Sequence, residues 1–253
     1  MTNDSYIIQF KGVGIQFGHQ VIHQDVSFSI KDGESVTLLG PSGIGKTLIL
    51  KMIMGLLTPS WGEVIVMGQN MGRLSEIERT KLRRHIGMLF QGAALFDSLN
   101  VYENIAYSLR EAKNYTEPQI KDIVNEKLGI VGLAGIGSKF PTQLSGGQKK
   151  RVGLARALAS SPSIMLFDEP TTGLDPTATR LIDDLIVKLN QDYGMTAVSI
   201  THDIESAKRI SNRWLLINKG MVVADGAVDV VSNSDNNVRD FINGQWKSEI
   251  TLI

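Results

Sequence analysis

Eight consecutive residues, Gly40-Pro-Ser-Gly-Ile-Gly-Lys46-Thr47, have the types and spacing of a loop that binds phosphate. Glycines let backbone N–H groups curve around phosphate oxygens, a lysine adds a positive charge, and a threonine hydroxyl can ligate Mg²⁺. An apolar strand pattern precedes the loop and an apolar helix pattern follows it, although a plain glycine turn before a core helix is the alternative. We predict a nucleotide site formed by Gly40, Pro41, Ser42, Gly43, Ile44, Gly45, Lys46, Thr47 and Leu48.

Two adjacent carboxylates, Asp168 and Glu169, follow the apolar run at residues 163–167. At a strand end beside a phosphate loop, an aspartate can hold Mg²⁺ and a neighbouring glutamate can orient an attacking water. Two solvated acids at the end of a strand are the alternative. Because a phosphate loop is present in the same chain, the pattern favours a hydrolytic site with Thr47 and Asp168 near the metal.

The segment Leu144-Ser-Gly-Gly-Gln148 begins a helix with the S-x-x-Q spacing of a capping box, so a well-capped helix is one interpretation. However, each glycine in the first turn weakens a helix by ~1 kcal/mol relative to alanine. The basic run at residues 149–151 also opposes the helix dipole. This start suits an anion that approaches bare backbone N–H groups, and it predicts a second phosphate site at Ser145, Gly146, Gly147 and Gln148.

The composition is that of an ordinary globular chain, with 253 residues, 42% apolar, 26 basic and 26 acidic residues and no cysteine. The absence of cysteine excludes a disulfide-stabilised secreted fold, and zero net charge with no basic arm indicates no nucleic-acid partner. The first residues do not resemble a secretory signal, and no apolar run approaches the ~18–20 residues of a membrane helix. We therefore expect a chain inside the cell, which relies on another polypeptide to cross any membrane.

Hydrophobic patterning predicts the elements that position these residues. Alternation at residues 6–17 and 25–30 predicts antiparallel strands with one solvated face. A buried helix is predicted at residues 47–57, followed by a turn through Pro59 and Gly62. Further strands are predicted at residues 35–39, 85–90, 164–167 and 196–200, with a hairpin at 214–217 and 221–224. Strands that alternate with amphipathic helices, such as the one at residues 181–189, indicate a parallel α/β sheet.

Residues 99–141 interrupt that alternation with two amphipathic helices, which predicts a helical insertion. The predicted division places the β-subdomain and the first part of the core at residues 1–92 and the helical insertion at 93–160. The second part of the core follows at 161–226, and a C-terminal helix and tail at 227–253. The tail carries Trp246, Ile250, Leu252 and Ile253, which predicts docking on a neighbouring chain. A frayed tail, or packing on its own domain, is the alternative.

Taken together, the motifs resemble those of the ATP-binding cassette (ABC) ATPases, in the same order and spacing, over residues 6 to about 230. The resemblance rests on the phosphate loop, Gln91, residues 144–148, Asp168-Glu169, Gly173-Leu-Asp175 and His202. It implies an α/β fold with a P-loop NTPase (RecA-like) core, an N-terminal antiparallel β-subdomain and an inserted helical subdomain. It also implies Mg-ATP, held in a head-to-tail homodimer between the phosphate loop of one chain and Ser145-Gly-Gly of the other.

The same resemblance implies roles for single residues. Phe17 would stack on adenine, Gln91 would touch Mg²⁺ and the attacking water and sense the transmembrane partner, and Glu169 would be the general base. His202 would contact the γ-phosphate, and Asp175 would make a contact across the dimer. From the residues alone, Phe17 could instead be a core strand residue and Gln91 a solvated loop amide.

Four residues differ from the family pattern or could be mistaken for a metal site. Leu48 stands where many relatives have a second hydroxyl, and one missing hydrogen bond would weaken ATP binding by ~1 kcal/mol. Phe17 replaces the commoner tyrosine. His19 and His23 have i, i+4 spacing outside a helix, so they are interpreted as structural histidines and not as a metal pair.

Residues 87–111 resemble ATPases of the maintenance-of-lipid-asymmetry (Mla) phospholipid transporters and their chloroplast relatives, and residues 238–244 resemble their C-terminal helix. Those relatives often carry methionine where Gln148 stands. The resemblance implies a multispanning permease, a periplasmic substrate-binding protein of the MCE type and, in some systems, a small STAS-domain subunit. It places the chain on the cytoplasmic face of the inner membrane, with the permease on residues 99–141 and the Gln91 loop.

Three functions remain open at this point. The first is energising phospholipid transport between membranes, which residues 93–97 (Ala-Ala-Leu-Phe-Asp) favour. The second is import of a small nutrient such as an amino acid. The third is a cytosolic ATPase of iron–sulfur assembly, whose signature often continues into Lys-Lys-Arg as residues 149–151 do.

Overall fold

The computed structural model describes residues 6–245 and contains one mixed β-sheet flanked by helices. Residues 246–253, with the predicted apolar tail, lie outside the described range. The strands are β1 (Tyr6–Phe17), β2 (Gln20–Lys31), β3 (Ser35–Leu39), β4 (Trp61–Val66), β5 (Gln69–Asn70), β6 (Ile86–Leu89), β7 (Ile164–Asp168), β8 (Thr196–Ile200), β9 (Arg213–Asn218) and β10 (Met221–Ala227). Their order across the sheet is β5-β4-β1-β2-β10-β9-β3-β8-β7-β6.

The helices are α1 (Lys46–Ile53), α2 (Glu76–Arg83), α3 (Val101–Ala112), α4 (Glu117–Ile130), α5 (Gly146–Leu158), α6 (Pro176–Tyr193), α7 (Ile204–Ile210), α8 (Val228–Ser234) and α9 (Asn236–Ile242). A short 3₁₀ turn at Pro141–Gln143 precedes α5. Within residues 6–245, none of these helices has the length and apolar character needed to span a membrane.

The antiparallel part of the sheet confirms the prediction for the first strands. β1 pairs with β2 and with β4 in antiparallel register, and Phe10 stacks on Phe28 with ring centroids 4.6 Å apart. Val26, Phe28 and Ile30 are buried while Asp25 and Ser27 are exposed, as the alternation predicts.

The parallel part consists of β9, β3, β8, β7 and β6 in that order, and every residue of β3, β6, β7 and β8 is buried. β7 buries both faces, with Ile164 and Leu166 in one apolar cluster and Met165 and Phe167 in another. Because parallel strands end at one edge, the residues that follow β3, β7 and β8 are brought together.

The helical insertion is confirmed, since α3, α4 and α5 lie between β6 and β7 in the chain. The predicted division of the chain into units stays a prediction. α2, α7 and α8 and the strands β4 and β5 were not predicted.

Two boundaries after the phosphate loop were predicted wrongly. α1 ends at Ile53 and not at Leu57, because Gly55 adopts a left-handed conformation (φ +64°) that stops the helix. Gly62 lies inside β4 and not in a turn. It packs against β1, where an added Cβ would be 2.2 Å from the carbonyl oxygen of Gly12.

Candidate functional site

The loop between β3 and α1 depends on glycine at three positions. Gly40, Gly43 and Gly45 have φ values of +143°, +80° and +93°, which other residues rarely adopt. At Gly40, an added Cβ would also lie 2.4 Å from the carbonyl oxygen of Ile217. The loop therefore leads into the N-terminus of α1, where free backbone N–H groups and the helix dipole favour an anion.

Lys46 is buried, and its Nζ donates hydrogen bonds to the carbonyl oxygens of Gly40 (2.7 Å) and Pro41 (2.8 Å). Burial lowers the pKa of Lys46, and the nearby carboxylates of Glu169 and Asp168 oppose this shift. The ammonium group thus lies against the phosphate loop and within the electrostatic field of the two acids at the end of β7.

His23 supports the loop from β2 and is fully buried. Its Nε2 lies 3.0 Å from the carbonyl oxygen of Gly45, and since a carbonyl only accepts, Nε2 carries the hydrogen. Burial lowers the pKa of His23, opposed by this hydrogen bond, so the ring is neutral near pH 7. The structural role predicted for His23 fits this geometry, but nothing in the sequence indicates that its contact is with the phosphate loop.

Gly45→Ala is expected to destabilise the protein by about 2–4 kcal/mol, through a left-handed alanine and a Cβ that crowds Ile22 and His23. The added Cβ would lie 2.7 Å from Ile22 Cγ2 and 2.9 Å from His23 Nε2. The free energy of unfolding in urea measures the effect. Gly43→Ala is the matched control, because it has a positive φ but no heavy atom within 4 Å of the new Cβ. Equal losses in the two variants would show that packing at His23 contributes nothing.

Thr47 and Asp168 meet as predicted, with the Thr47 hydroxyl donating to Asp168 Oδ1 at 3.2 Å. Burial raises the pKa of Asp168, and Glu169 adds to this, whereas the Thr47 hydrogen bond and Lys51 and Lys46 oppose it. A hydroxyl and a carboxylate oxygen are ligands that Mg²⁺ accepts, so the donor set fits that ion. No cluster of three or more His, Cys, Asp or Glu residues suited to a metal occurs in residues 6–245, so phosphate oxygens and water would have to complete the coordination.

Glu169 and His202 also meet, at the ends of the adjacent strands β7 and β8. Glu169 Oε2 lies 2.9 Å from His202 Nδ1 and accepts a hydrogen bond from the Thr172 hydroxyl at 2.7 Å. The backbone of Glu169 is left-handed (φ +48°), an unusual conformation for a residue other than glycine. Its N–H donates to the carbonyl oxygen of Ile200 at 2.9 Å, which fixes the acid to the end of β8.

Phe17 lies at the rim of a cavity of about 360 Å³ that the phosphate loop lines. The ring is 52% exposed, so the alternative of a core strand residue is wrong and an aromatic surface is available at the site. The cavity is lined by Phe17, Ile22, Ser42, Gly43, Gly45, Lys46, Thr47, Leu48, Glu169 and Ile200. Ile22 and Ile200 were not predicted as site residues. Both are apolar strand residues, and their residue type does not distinguish them from core residues.

The segment Ser145–Gln148 forms the predicted capping box and lies apart from that cavity's lining. Ser145 Oγ accepts from the Gln148 N–H at 3.3 Å, and Gln148 Oε1 accepts from the Ser145 N–H at 3.0 Å. Asp175 caps α6 by accepting from the Ala178 N–H at 2.9 Å. The two helix starts are neighbours, because a Cβ on Gly147 would be 3.1 Å from Ala178 Cβ.

Gln91 is exposed in the loop that follows β6, and its carbonyl oxygen accepts a hydrogen bond from Lys150 Nζ. The same Nζ donates to the carbonyl oxygen of Glu169 at 3.2 Å. Lys150 was not predicted as a site residue. The signal that could have found it is the basic run at residues 149–151, which opposes the dipole of α5. The structure thus assembles Phe17, the phosphate loop, Asp168, Glu169 and His202 in one region.

Comparisons with known proteins show which family and which relatives the chain is similar to. The family profile described as ABC transporter matches residues 23–172. The chain is 42% identical to the "Probable ribonucleotide transport ATP-binding protein mkl" of Mycobacterium tuberculosis, over 94% of this chain and 67% of that protein. It is 38% identical to the "Intermembrane phospholipid transport system ATP-binding protein MlaF" of Haemophilus influenzae, over 94% of this chain and 91% of that protein.

Among solved structures, the dimeric post-hydrolysis state of the ATP-binding cassette MJ0796, bound to ADP and Pi, matches with a TM-score of 0.80 at 34% identity. The match covers 87% of this chain and 98% of that one. The predicted fold class, an α/β core with an antiparallel β-subdomain and a helical insertion, is confirmed by this similarity and by the topology.

Proposed function

The chain belongs to the ABC transporter family as an ATP-hydrolysing, ATP-binding subunit, and we propose that it energises phospholipid transport between two membranes. The observation that carries the ATPase is the meeting of the phosphate loop with Asp168, Glu169 and His202 at one edge of the sheet. The phospholipid substrate rests on similarity to MlaF over nearly the full length of both chains.

In the proposed mechanism Glu169 is the general base. Its carboxylate, oriented by Thr172 and His202, takes a proton from a water whose oxygen forms a bond to the γ-phosphorus. The bond from that phosphorus to the bridging oxygen breaks, and ADP and inorganic phosphate are released. Lys46 and the N–H groups of residues 43–47 stabilise the charge on the transferred phosphoryl group.

The other site residues orient the nucleotide. Phe17 stacks on the adenine, and Thr47, Asp168 and the Gln91 side chain hold Mg²⁺, which neutralises phosphate charge when bound. His202 Nδ1 donates to Glu169 Oε2 at 2.9 Å. Because phosphate oxygens only accept, a hydrogen bond from His202 Nε2 to the γ-phosphate requires that both ring nitrogens carry hydrogen. Leu48 supplies an apolar side chain, because its backbone N–H already donates to the carbonyl oxygen of Gly45 at 2.9 Å.

A complete site in this proposal needs two chains arranged head to tail. The helix start at Ser145, Gly146, Gly147 and Gln148 would approach the γ-phosphate held by the partner's loop, with Asp175 beside it. The support is that the sequence predicts two helix starts suited to an anion in one chain, and that residues 145–148 do not line the cavity of their own chain. Closure of the dimer around ATP would drive the permease, and hydrolysis would reset it.

The partners follow from the phospholipid proposal. The dimer would bind a multispanning permease at the cytoplasmic face of the inner membrane, through the Gln91 loop and α3. An MCE-type periplasmic protein and a small STAS-domain subunit would complete the system. A ribonucleotide is the second candidate cargo, because the 42% identical relative carries that name, although only 67% of that protein is matched.

Affinity purification of the tagged Glu169→Gln chain from detergent-solubilised membranes of its host tests this function. Mass spectrometry is expected to find a multispanning permease, an MCE-type protein and bound phospholipid. Lys46→Ala, purified in parallel, is the control for association that does not depend on ATP.

The competing functions predict different partners. A soluble solute-binding protein in place of the MCE-type protein would indicate nutrient import, and bound ribonucleotide would favour the second cargo. Recovery with soluble cluster-assembly proteins alone would contradict transport while leaving the ATPase intact.

A further inference from the structure

One face of α5 is dedicated to the loop that follows β6. Lys150, Gly153 and Arg156 lie three residues apart and therefore on the same side of the helix. Arg156 donates to the carbonyl oxygens of Ala94 (2.7 Å) and Ala93 (3.1 Å). A Cβ on Gly153 would be 3.1 Å from the Ala93 carbonyl oxygen, so a side chain there would require the loop to shift by a few tenths of an ångström. Through these three residues, α5 is in close contact with the Gln91 loop.

Lys150 differs from the other two contacts because it also reaches the end of β7. Its side chain is buried, and Nζ donates to the carbonyl oxygen of Gln91 and, at 3.2 Å, to that of Glu169. Both acceptors are backbone carbonyls and not carboxylates. The carboxylates of Glu169 and Asp168 act on the charge of Lys150, but its hydrogen bonds go to neutral carbonyl groups. Burying an ammonium group in this way is unfavourable compared with burying an apolar side chain of similar length, so fold stability alone does not explain this lysine.

The position of Lys150 connects three parts of the proposed machinery. It stands five residues after Ser145, it holds the backbone of Gln91, and it holds the backbone of Glu169. Glu169 has a left-handed backbone (φ +48°), so a hydrogen bond to its carbonyl oxygen restrains the peptide plane that sets the direction of its carboxylate. A displacement of the Gln91 loop would therefore move Nζ and the Glu169 peptide together.

We propose that Lys150 is a positioning residue that couples the Gln91 loop and α5 to the orientation of the Glu169 carboxylate. The inference rests on the proposed role of Glu169 as general base. Lys150 itself touches neither nucleotide nor water in this mechanism. Its removal should leave ATP bound normally while the carboxylate loses its alignment with the attacking water.

Lys150→Met in the full-length chain is the test, because methionine keeps an apolar stem and removes the ammonium group. We expect kcat for ATP hydrolysis to fall about tenfold, the scale of a small misalignment, while KM for ATP changes less than about twofold. Lys150→Arg, which keeps the charge and N–H donors, should recover part of the lost kcat. Lys149→Met is the matched control, since Lys149 is the adjacent, partly exposed lysine and the net charge changes equally.

The outcomes separate this proposal from the proposed function. Wild-type chain that hydrolyses no ATP, alone or with its permease, would contradict the function itself. If the wild type is active, wild-type kcat in Lys150→Met overturns the proposal, as does a loss of kcat that Lys149→Met shares. A rise in KM at unchanged kcat also overturns it. Should Lys150→Met not fold, Lys150→Leu is measured by the same criteria, because leucine is also apolar and has no N–H donor.

Discussion

Glu169→Gln is expected to bind ATP with wild-type affinity and to hydrolyse it about 10²–10⁴-fold more slowly, the range that a general base contributes. Glutamine has nearly the shape of glutamate and can still accept from Thr172 and His202, but it cannot take a proton from water. The other nucleotide contacts remain, and so does the electrostatic field of Lys46 and Asp168 at the site. Because ATP persists, the head-to-tail dimer should accumulate in its closed form.

Three measurements check this expectation, namely ATP affinity, the steady-state hydrolysis rate, and the dimer fraction by size-exclusion chromatography with ATP and Mg²⁺. Glu205→Gln is the control variant, since Glu205 is an exposed acid on α7 that pairs with Lys208, and the charge change is identical. Wild-type turnover in Glu169→Gln would contradict the assignment of the base. A slow variant that remains monomeric with ATP would leave the base in place and contradict the dimer.

The residues on the phosphate side could be predicted from the sequence because motif spacing and strand ends together restrict their positions. Thr47 follows β3 and the loop, while Asp168, Glu169 and His202 are found where β7 and β8 end. Parallel strands bring those ends to one edge, so the contacts of Thr47 with Asp168 and of Glu169 with His202 follow from topology. Their chemical roles remain predictions, since geometry alone does not test them.

The supporting contacts could not be predicted, because they depend on distant parts of the chain. Lys150 binds carbonyl oxygens 59 and 19 residues away, and His23 reaches the carbonyl oxygen of Gly45 from another strand. A backbone carbonyl exists at every residue, so no residue type marks it as the acceptor for a buried lysine. Because burying a charge is unfavourable without hydrogen bonds, a buried lysine indicates that some acceptor is present, but not which one.

The missed elements have local explanations. α2 buries only Leu82, so it lacks the apolar periodicity that predicted the helices within residues 99–141 and 181–189. The start of α2 could have been predicted, because Ser75 and Glu78 have capping-box spacing. In the structure the Glu78 side chain accepts from the Ser75 N–H at 2.8 Å. β5 has two residues and is too short for any pattern.

Lys46→Ala is expected to weaken ATP binding by about 10²-fold, since charged hydrogen bonds contribute about 1.5–3 kcal/mol each. The variant removes a buried ammonium group that faces the phosphate loop. It also removes one of the cations near the carboxylates of Asp168 and Glu169, so an incoming polyphosphate meets more uncompensated negative charge. Both effects reduce the affinity for the triphosphate and leave adenine stacking on Phe17 unchanged.

Equilibrium binding of a fluorescent ATP analogue measures the loss. Lys188→Ala is the matched control, because Lys188 is an exposed lysine on α6 and the net charge changes equally. Lys46→Met, which keeps the apolar stem, separates the loss of charge from a cavity beside the loop. If both Lys46 variants bind ATP as the wild type does, backbone N–H groups alone must hold the phosphates. The expected contribution of Lys46 to the binding of the triphosphate would then be wrong.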